Sequence, residues 1–209
     1  MTSVDPADGG VFVCLMARAP VTGEVKKRLV QDLGIAGALD AYDQLLQHKL
    51  ALLADSSVEV ELWMTGDARR CREVARSCEL PLHFQGEGHL GQRMCEIVSH
   101  AHRRRRIALV TGVDLPAIDA TYIDSAAAAL KTHDVVVAPT EDGGYGLIGM
   151  RSVHPKLFED VRWGSERVLE QTLSQAQRLG LSVALLPLTW DVDTAADWQR
   201  FMRLREPSP

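Results

Sequence analysis

The stretch IALVTGVDLP, residues 107–116, decides how the rest of the sequence is interpreted. Its four apolar residues 107–110 are typical of a strand buried on both faces. Asp114 follows that strand, and Pro116 disfavours helical geometry just before it, so the chain is expected to turn. A carboxylate just past the carboxyl end of a buried strand lies where open α/β sheets bind ligands.

Asp114 also has a simpler interpretation, as the cap of a helix expected to begin near Ile118. Aspartate is a common capping residue. Asp119 lies closer to that helix start and could cap it instead.

Strand and helix patterns alternate outward from this stretch, which predicts a mostly parallel sheet with helices on both faces. Continuous apolar runs place three strands near its centre: 11–17, 107–110 and 135–138. The other strands are expected at 58–64, 82–85, 145–150 and 182–188, and helices at 28–54, 67–78, 92–98, 118–130, 165–179 and 195–204. We expect one domain over residues 11–204, with a loose leader at 1–10 and a frayed tail at 205–209.

Composition excludes several classes of protein. The chain has 209 residues, a formal net charge of −5 and a pI of about 5.8, which argues against a nucleic-acid partner. The four cysteines have no zinc-site spacing, the first ten residues are polar, and no apolar run is long enough for a membrane span. These features predict a cytoplasmic protein.

Charged loops follow four of the predicted strands. Cations follow the first strand, and carboxylates follow the other three. Because parallel strands end at the same edge, these loops should meet there. Lysine and arginine neutralise phosphate, and carboxylates hold Mg²⁺ or Mn²⁺, so the pattern favours a phosphate-bearing ligand with a divalent metal. The loop residues are Lys26, Lys27 and Arg28; Asp114; Glu141 and Asp142; and Asp191 and Asp193.

Each of these motifs has an alternative interpretation. The cations 26–28 could be a solvated first helical turn, although positive charge is unfavourable at a helix start. The glycine pair 143–144 could only shape a turn, and either Asp193 or Thr194 could cap the last helix. No GxGxxG motif follows the first strand, and no GxxxxGK[ST] motif occurs in the sequence, so NAD-binding and P-loop functions are not favoured. No serine or cysteine has a convincing base partner for nucleophilic catalysis.

Six segments in order resemble the DUF2064 group of glycosyltransferase-like proteins, within the nucleotide-diphospho-sugar transferase superfamily. They are APVTGEVKKRL, GEGHLGQRM, TGVDLP, APTEDGGYGLIGM, VRWGSERVLEQT and DVDTAADW. The resemblance spans roughly residues 11–200 and implies a GT-A-type fold, a Rossmann-like α/β/α sandwich with nucleotide and metal at the strand ends.

The resemblance also implies roles for individual residues. Catalysis would involve Asp114 and Asp142, and Mg²⁺ or Mn²⁺ would be held by Asp114 with Asp191 or Asp193. The nucleotide phosphates would be bound by Pro20, Gly23, Lys26, Arg28 and Gly91. The substrate pocket would include His89, Gly143, Gly144 and Tyr145. The chain departs from the family pattern at Lys27, His89, Gln92 and Gly146, and at the two neighbours of Asp114.

The leading functional hypothesis is a metal-dependent transferase that moves a glycosyl group from a nucleotide-sugar to a small-molecule acceptor. The first alternative is a guanylyltransferase-like nucleotidyltransferase, because a basic loop after the first strand suits a triphosphate and no DxD follows the central strand. The second alternative is a nucleotide-binding protein without turnover. The base, the sugar, the acceptor and the oligomeric state do not follow from the sequence.

Overall fold

The computed structural model describes residues 10–54 and 58–205, in which strands and helices mostly alternate along the chain. Nearly all of the predicted leader and tail lies outside these residues. The strands are β1 (Val11–Arg18), β2 (Glu59–Thr65), β3 (Leu82–Phe84), β4 (Ile107–Gly112), β5 (Val135–Pro139), β6 (Tyr145–Met150) and β7 (Val183–Leu185). The helices are α1 (Val30–Ala54), α2 (Ala68–Cys78), α3 (Leu90–Arg103), α4 (Ala120–Ala129), α5 (Val168–Arg178) and α6 (Ala195–Arg205).

The described strands form one 7-stranded sheet in the order β3-β2-β1-β4-β6-β5-β7. Every neighbouring pair is parallel except those made by β6, which runs antiparallel to both β4 and β5. The prediction of a mostly parallel sheet is confirmed. β1 and β4 lie at its centre as expected, whereas β5 lies one strand from the edge, further out than expected.

Helices cover both faces of the sheet, and strand residues alternate between them with the period of two that a pleated strand imposes. In β1, Leu15 points into the layer formed with α1, α4 and α6. Its neighbour Cys14 points into the layer formed with α3 and α5. Two apolar layers explain why the central strands have no polar face.

Several element boundaries differ from the prediction. The segment before α1 is a 3-10 turn, Lys27–Leu29, and α1 is interrupted at Gly34, which has a φ of 70° and a ψ of 171°. β7 ends at Leu185, three residues earlier than predicted, because the ladder cannot continue through Pro187, which lacks an N–H. In the described part of the chain no helix has the length and apolar character of a membrane span.

The fold brings the predicted loops together. β1, β4, β5 and β7 point the same way, so the segments after them leave from one edge of the sheet. The amide of Val192 donates to the carbonyl of Asp114 at 3.0 Å, which joins the loop after β7 to the loop after β4. A bridge between Thr140 and Thr189 likewise joins the loops after β5 and β7.

Candidate functional site

A cavity of about 630 Å³ opens at this edge of the sheet. Its size lies within the range of small-molecule and cofactor sites. Residues from the loops after β1, β4, β5 and β7 line it, together with the start of α3 and the segment before α5. Of the predicted site residues, those lining the cavity are Lys26, Arg28, Asp114, Asp142, Gly144, Tyr145, Asp191 and Asp193.

Lys26 is a buried cation that lies between two carboxylates of this cavity. Its backbone is left-handed, with a φ of 45° and a ψ of 46°, and its side chain is only 5% exposed. The ammonium donates to the Val192 carbonyl and lies 2.8 Å from Asp114 Oδ1 and 3.4 Å from Asp193 Oδ1. The contact with Asp114 is a close ion pair, and no group in the described parts of the chain makes a hydrogen bond of ordinary geometry to Oδ1.

Arg28 lies beside Lys26 but remains accessible. Its side chain is 73% exposed, and its Nη1 donates to Asp193 Oδ2 at 2.7 Å. Leu29, which is fully buried, fixes the turn that carries both cations. Lys26 and Arg28 therefore pair directly with carboxylates at the cavity, although Lys27 and Arg28 lie in an exposed 3-10 turn, as the alternative interpretation expected.

The capping alternatives for the carboxylates are excluded by the hydrogen bonds. Asp119 caps α4, because its Oδ1 accepts from the Tyr122 amide at 2.8 Å. At α6, the hydroxyl of Thr194 accepts from the Asp197 amide at 3.3 Å and donates to the Asp197 carboxylate at 2.7 Å. Asp114 and Asp193 are thus free of helix caps and point into the cavity.

Burial and neighbouring carboxylates raise the pKa of Asp191. Partial burial, followed by repulsion from Asp142, Asp193 and Asp114, raises the pKa of its carboxyl to about 6. Like charges gathered in one place disfavour ionisation and attract a cation. Carboxylate oxygens are the donors that Mg²⁺ and Mn²⁺ prefer, but Asp114, Asp191 and Asp193 do not bring three oxygens within 4.8 Å of one another. Lys26 places a positive charge between Asp114 and Asp193.

The turn between β5 and β6 is shaped by its own polar groups. Asp142 Oδ1 accepts from the hydroxyl of Thr140 at 2.6 Å and from the amide of Gly144 at 3.0 Å. Gly143 has a φ of 84°, and a Cβ there would lie 2.0 Å from the Glu166 carbonyl. Gly143 therefore lets the turn pack on the segment before α5 and does not line the cavity.

His89 and Gly91 have structural roles at the start of α3. His89 forms a capping box with Gln92: its Nδ1 accepts from the Gln92 amide, and its own amide donates to Gln92 Oε1 at 2.9 Å. A Cβ on Gly91 would lie 2.4 Å from the Trp163 ring, so this glycine gives Trp163 room. Neither lines the cavity, and nor do Pro20 and Gly23, the other two residues predicted at the phosphates.

Sequence reasoning missed several residues that form or support the site. Tyr42, Gln85, Arg93, Trp163 and Ser165 line the cavity. Arg93 lies in the quoted segment GEGHLGQRM, and Trp163 and Ser165 lie in VRWGSERVLEQT, but none of the five was assigned to the site.

Lys49 was missed because it lies inside a helical pattern. It is fully buried in α1 and donates to the carbonyls of Leu115 and Ile118, the latter at 3.0 Å. Burial lowers the pKa of its ammonium to about 7. Lys49 holds the backbone that carries Asp114.

A family model matches the middle of this chain. Residues 46–165 match the model of the family described as uncharacterized proteins conserved in bacteria, DUF2064. The search of curated proteins returned no significant match.

Solved structures of transferases share the fold. The crystal structure of a candidate nucleotide-diphospho-sugar transferase from Desulfovibrio desulfuricans G20 superimposes with a TM-score of 0.88 at 28% identity, covering 95% of this chain and 88% of that one. A nucleotidyl transferase from Methanothermobacter thermautotroptrophicus gives a TM-score of 0.62 at 13% identity, covering 93% and 99%. The 4-diphosphocytidyl-2C-methyl-D-erythritol synthase of Anaerococcus prevotii DSM 20548 gives 0.60 at 10%, covering 93% and 96%. The last two show likeness of fold alone.

The family match covers more than half of the chain: the chain belongs to the DUF2064 family.

Proposed function

We propose that this protein transfers a glycosyl group from a nucleotide-sugar donor to a small-molecule acceptor, with Mg²⁺ or Mn²⁺ as cofactor. One observation carries the proposal: two cations and three carboxylates from separate loops converge in one cavity large enough for a nucleotide with an attached group. The fold shared with the candidate nucleotide-diphospho-sugar transferase supports it.

In this proposal the cations of the cavity bind phosphate and the carboxylates bind metal. Lys26 and Arg28 would bind the phosphates, because ammonium and guanidinium groups donate charge-assisted hydrogen bonds to phosphate oxygens. Asp114, with Asp191 or Asp193, would hold the divalent metal, which when bound offsets the negative charge that builds on the leaving phosphate. Because two or three carboxylates alone hold Mg²⁺ weakly, we expect metal and nucleotide to bind cooperatively.

The other wall of the cavity would receive the sugar or the acceptor. Tyr145 and Trp163 line it and contact each other edge to face with their ring centroids 6.3 Å apart. Aromatic walls with a few placed polar groups are typical of small-molecule sites. Asp142 lies in the turn beside them and is our candidate for contact with the reacting hydroxyl.

Nucleotidyl transfer is a second candidate, and one observation favours it. Lys26, in the loop after β1, is nine-tenths buried between carboxylates that come from two different loops, Asp114 and Asp193. This arrangement suits a triphosphate whose α-phosphate is attacked. A DxD pair after the central strand would instead favour a nucleotide-sugar, and the sequence there has a single aspartate.

Product analysis separates these possibilities. The protein is incubated with Mg²⁺ or Mn²⁺ and panels of nucleoside triphosphates and nucleotide-sugars, together with phosphorylated and hydroxylated acceptors. Release of nucleoside diphosphate supports glycosyl transfer, and release of pyrophosphate supports nucleotidyl transfer. Metal-dependent binding with neither product would indicate a nucleotide-binding protein without turnover. Asp114→Asn, purified in the same way, controls for contaminating enzymes.

A further inference from the structure

A second cluster of metal-ligating side chains lies on the sheet face covered by α3. Glu61 on β2, His83 on β3 and His100 on α3 each bring one ligand atom to within 4.8 Å of the other two. None of the three lines the candidate active-site cavity.

The carboxylate of Glu61 points to a ligand because half of it is unsatisfied. Glu61 is 4% exposed, and its Oε1 accepts from Arg104 Nη1 at 2.7 Å. Its Oε2 is buried 3.3 Å from His83 Nε2, and no group in the described parts of the chain donates a hydrogen bond to it. Buried carboxylate oxygens are usually paired, so this atom needs an explanation.

The two imidazoles are oriented by packing. The ring of His83 stacks on Trp63, with centroids 4.7 Å apart and planes 17° apart. His100 meets the edges of Trp63 and His83 at 5.2 and 5.0 Å. Rings held in this way lose little freedom when they bind a metal, which favours affinity.

We propose that Glu61, His83 and His100 form a Zn²⁺ site. Two histidines and one glutamate are a known zinc ligand set, completed by water in the fourth position. Tetrahedral ligands around zinc lie about 3.4 Å apart, so the partly exposed histidines need to move inward by about 1 Å while keeping their ring planes. The ion would tie β3, an edge strand of three residues, to β2 and α3.

The cluster and the active-site carboxylates should prefer different ions. Imidazole nitrogens favour Zn²⁺ and Co²⁺, whereas a set of carboxylate oxygens favours Mg²⁺ and Mn²⁺. Arg104 is a competitor, because its guanidinium already neutralises Oε1 of Glu61 and would repel the ion.

The test titrates the full chain with Zn²⁺, and in parallel with Co²⁺, while excess Mg²⁺ masks the oxygen site. We expect one bound Zn²⁺ per chain and a visible Co²⁺ spectrum typical of nitrogen ligation. His83→Gln and His100→Gln should each weaken binding by about 100-fold or more, since outer-shell changes alone cost about 10–100-fold. His102→Gln, two residues along the same helix and outside the cluster, should bind as the wild type does.

Arg104→Gln gives an independent check, because a cluster with only a structural role would not gain affinity for Zn²⁺ in this variant. Removing the competing guanidinium should tighten Zn²⁺ binding, and circular dichroism would verify that every variant folds. The proposal is overturned if the wild type binds no Zn²⁺, or if both histidine variants bind it as tightly as the wild type. It is also overturned if Asp114→Asn, rather than the histidine variants, abolishes binding, because the ion would then lie at the active site.

Discussion

Replacing Lys26 with methionine should destabilise the protein and make it more dependent on metal. The ammonium donates to the Val192 carbonyl, which is worth about 1.5–3 kcal/mol for a charged donor. Its pairing with Asp114, which is 41% exposed, adds at most about 1 kcal/mol after solvent screening. Methionine keeps the unbranched side chain, so the expected loss is about 2–4 kcal/mol, or about 5–15 °C in Tm.

The metal response is the more specific part of this prediction. In the wild type a divalent ion competes with the ammonium for Asp114 and Asp193. In Lys26→Met the same carboxylates have lost that positive charge. Saturating Mn²⁺ should therefore raise the Tm of the variant more than that of the wild type.

The measurement is thermal unfolding with and without Mn²⁺ for three proteins. Arg28→Met is the matched control: it removes a cation from the same turn, but one that is 73% exposed and that pairs with Asp193 at the surface, so its loss should stay below about 1 kcal/mol. If Mn²⁺ stabilises Lys26→Met no more than the wild type, then Lys26 and the metal ion do not compete for the same carboxylates. The assignment of Asp114 and Asp193 as metal ligands would then be wrong.

Other variants test other parts of the site. Arg28→Ala should weaken nucleotide binding by about 1.5–3 kcal/mol, measured by calorimetry, and unchanged affinity would remove Arg28 from the phosphate site. Asp114→Asn should fold with near-normal Tm yet lose metal-dependent nucleotide binding and turnover; a titration in which it keeps the full gain from Mn²⁺ would contradict this. The pKa of Asp191 is raised in the fold from 3.8 to about 6, so its ionisation costs stability that builds up between these two pH values and is fully present above the higher one; Asp191→Asn should raise the Tm at about pH 7.5 and leave it unchanged at about pH 3. Gly143→Ala should cost about 2–4 kcal/mol in chemical denaturation, because its φ is 84° and the new Cβ would meet a carbonyl oxygen at 2.0 Å; a neutral effect would mean that the turn relaxes freely.

The sequence predicted the site's location because strand direction alone decides at which edge of the sheet the loops meet. Polar residues follow four strands that point the same way, and parallel strands end together. Lys26, Asp114 and Asp193 met at that edge as expected. The roles assigned to these residues remain predictions for the assays above.

The position of β5 shows a limit of hydrophobic pattern. Val135–Ala138 is buried on both faces, which requires helices above and below and a neighbour on each side. That requirement is met one strand from the edge as well as at the centre. The insertion of antiparallel β6 between β4 and β5 depends on long-range pairing, which local periodicity does not encode.

Residues with two plausible uses were the hardest to assign. His89 lies in a glycine-containing loop that suits a ligand, but the loop ends at a helix start, where the ring serves as a cap. Lys49 falls on the buried side of a helical pattern, where a lysine is normally expected at the surface. Only the fold shows the two carbonyls that it binds.

The hydrogen bond from the Val192 amide to the Asp114 carbonyl restricts how the protein can close around a ligand. With their backbones joined, the two acidic loops should move as one rigid unit, further held by Lys49 beneath Leu115. Our candidate for a closing motion is the turn around Lys26, whose backbone is in the left-handed region and which carries the exposed Arg28 two residues on. Hydrogen exchange should accordingly be slow at the Val192 amide in all states, and the protection gained on nucleotide binding should be concentrated at residues 26–29.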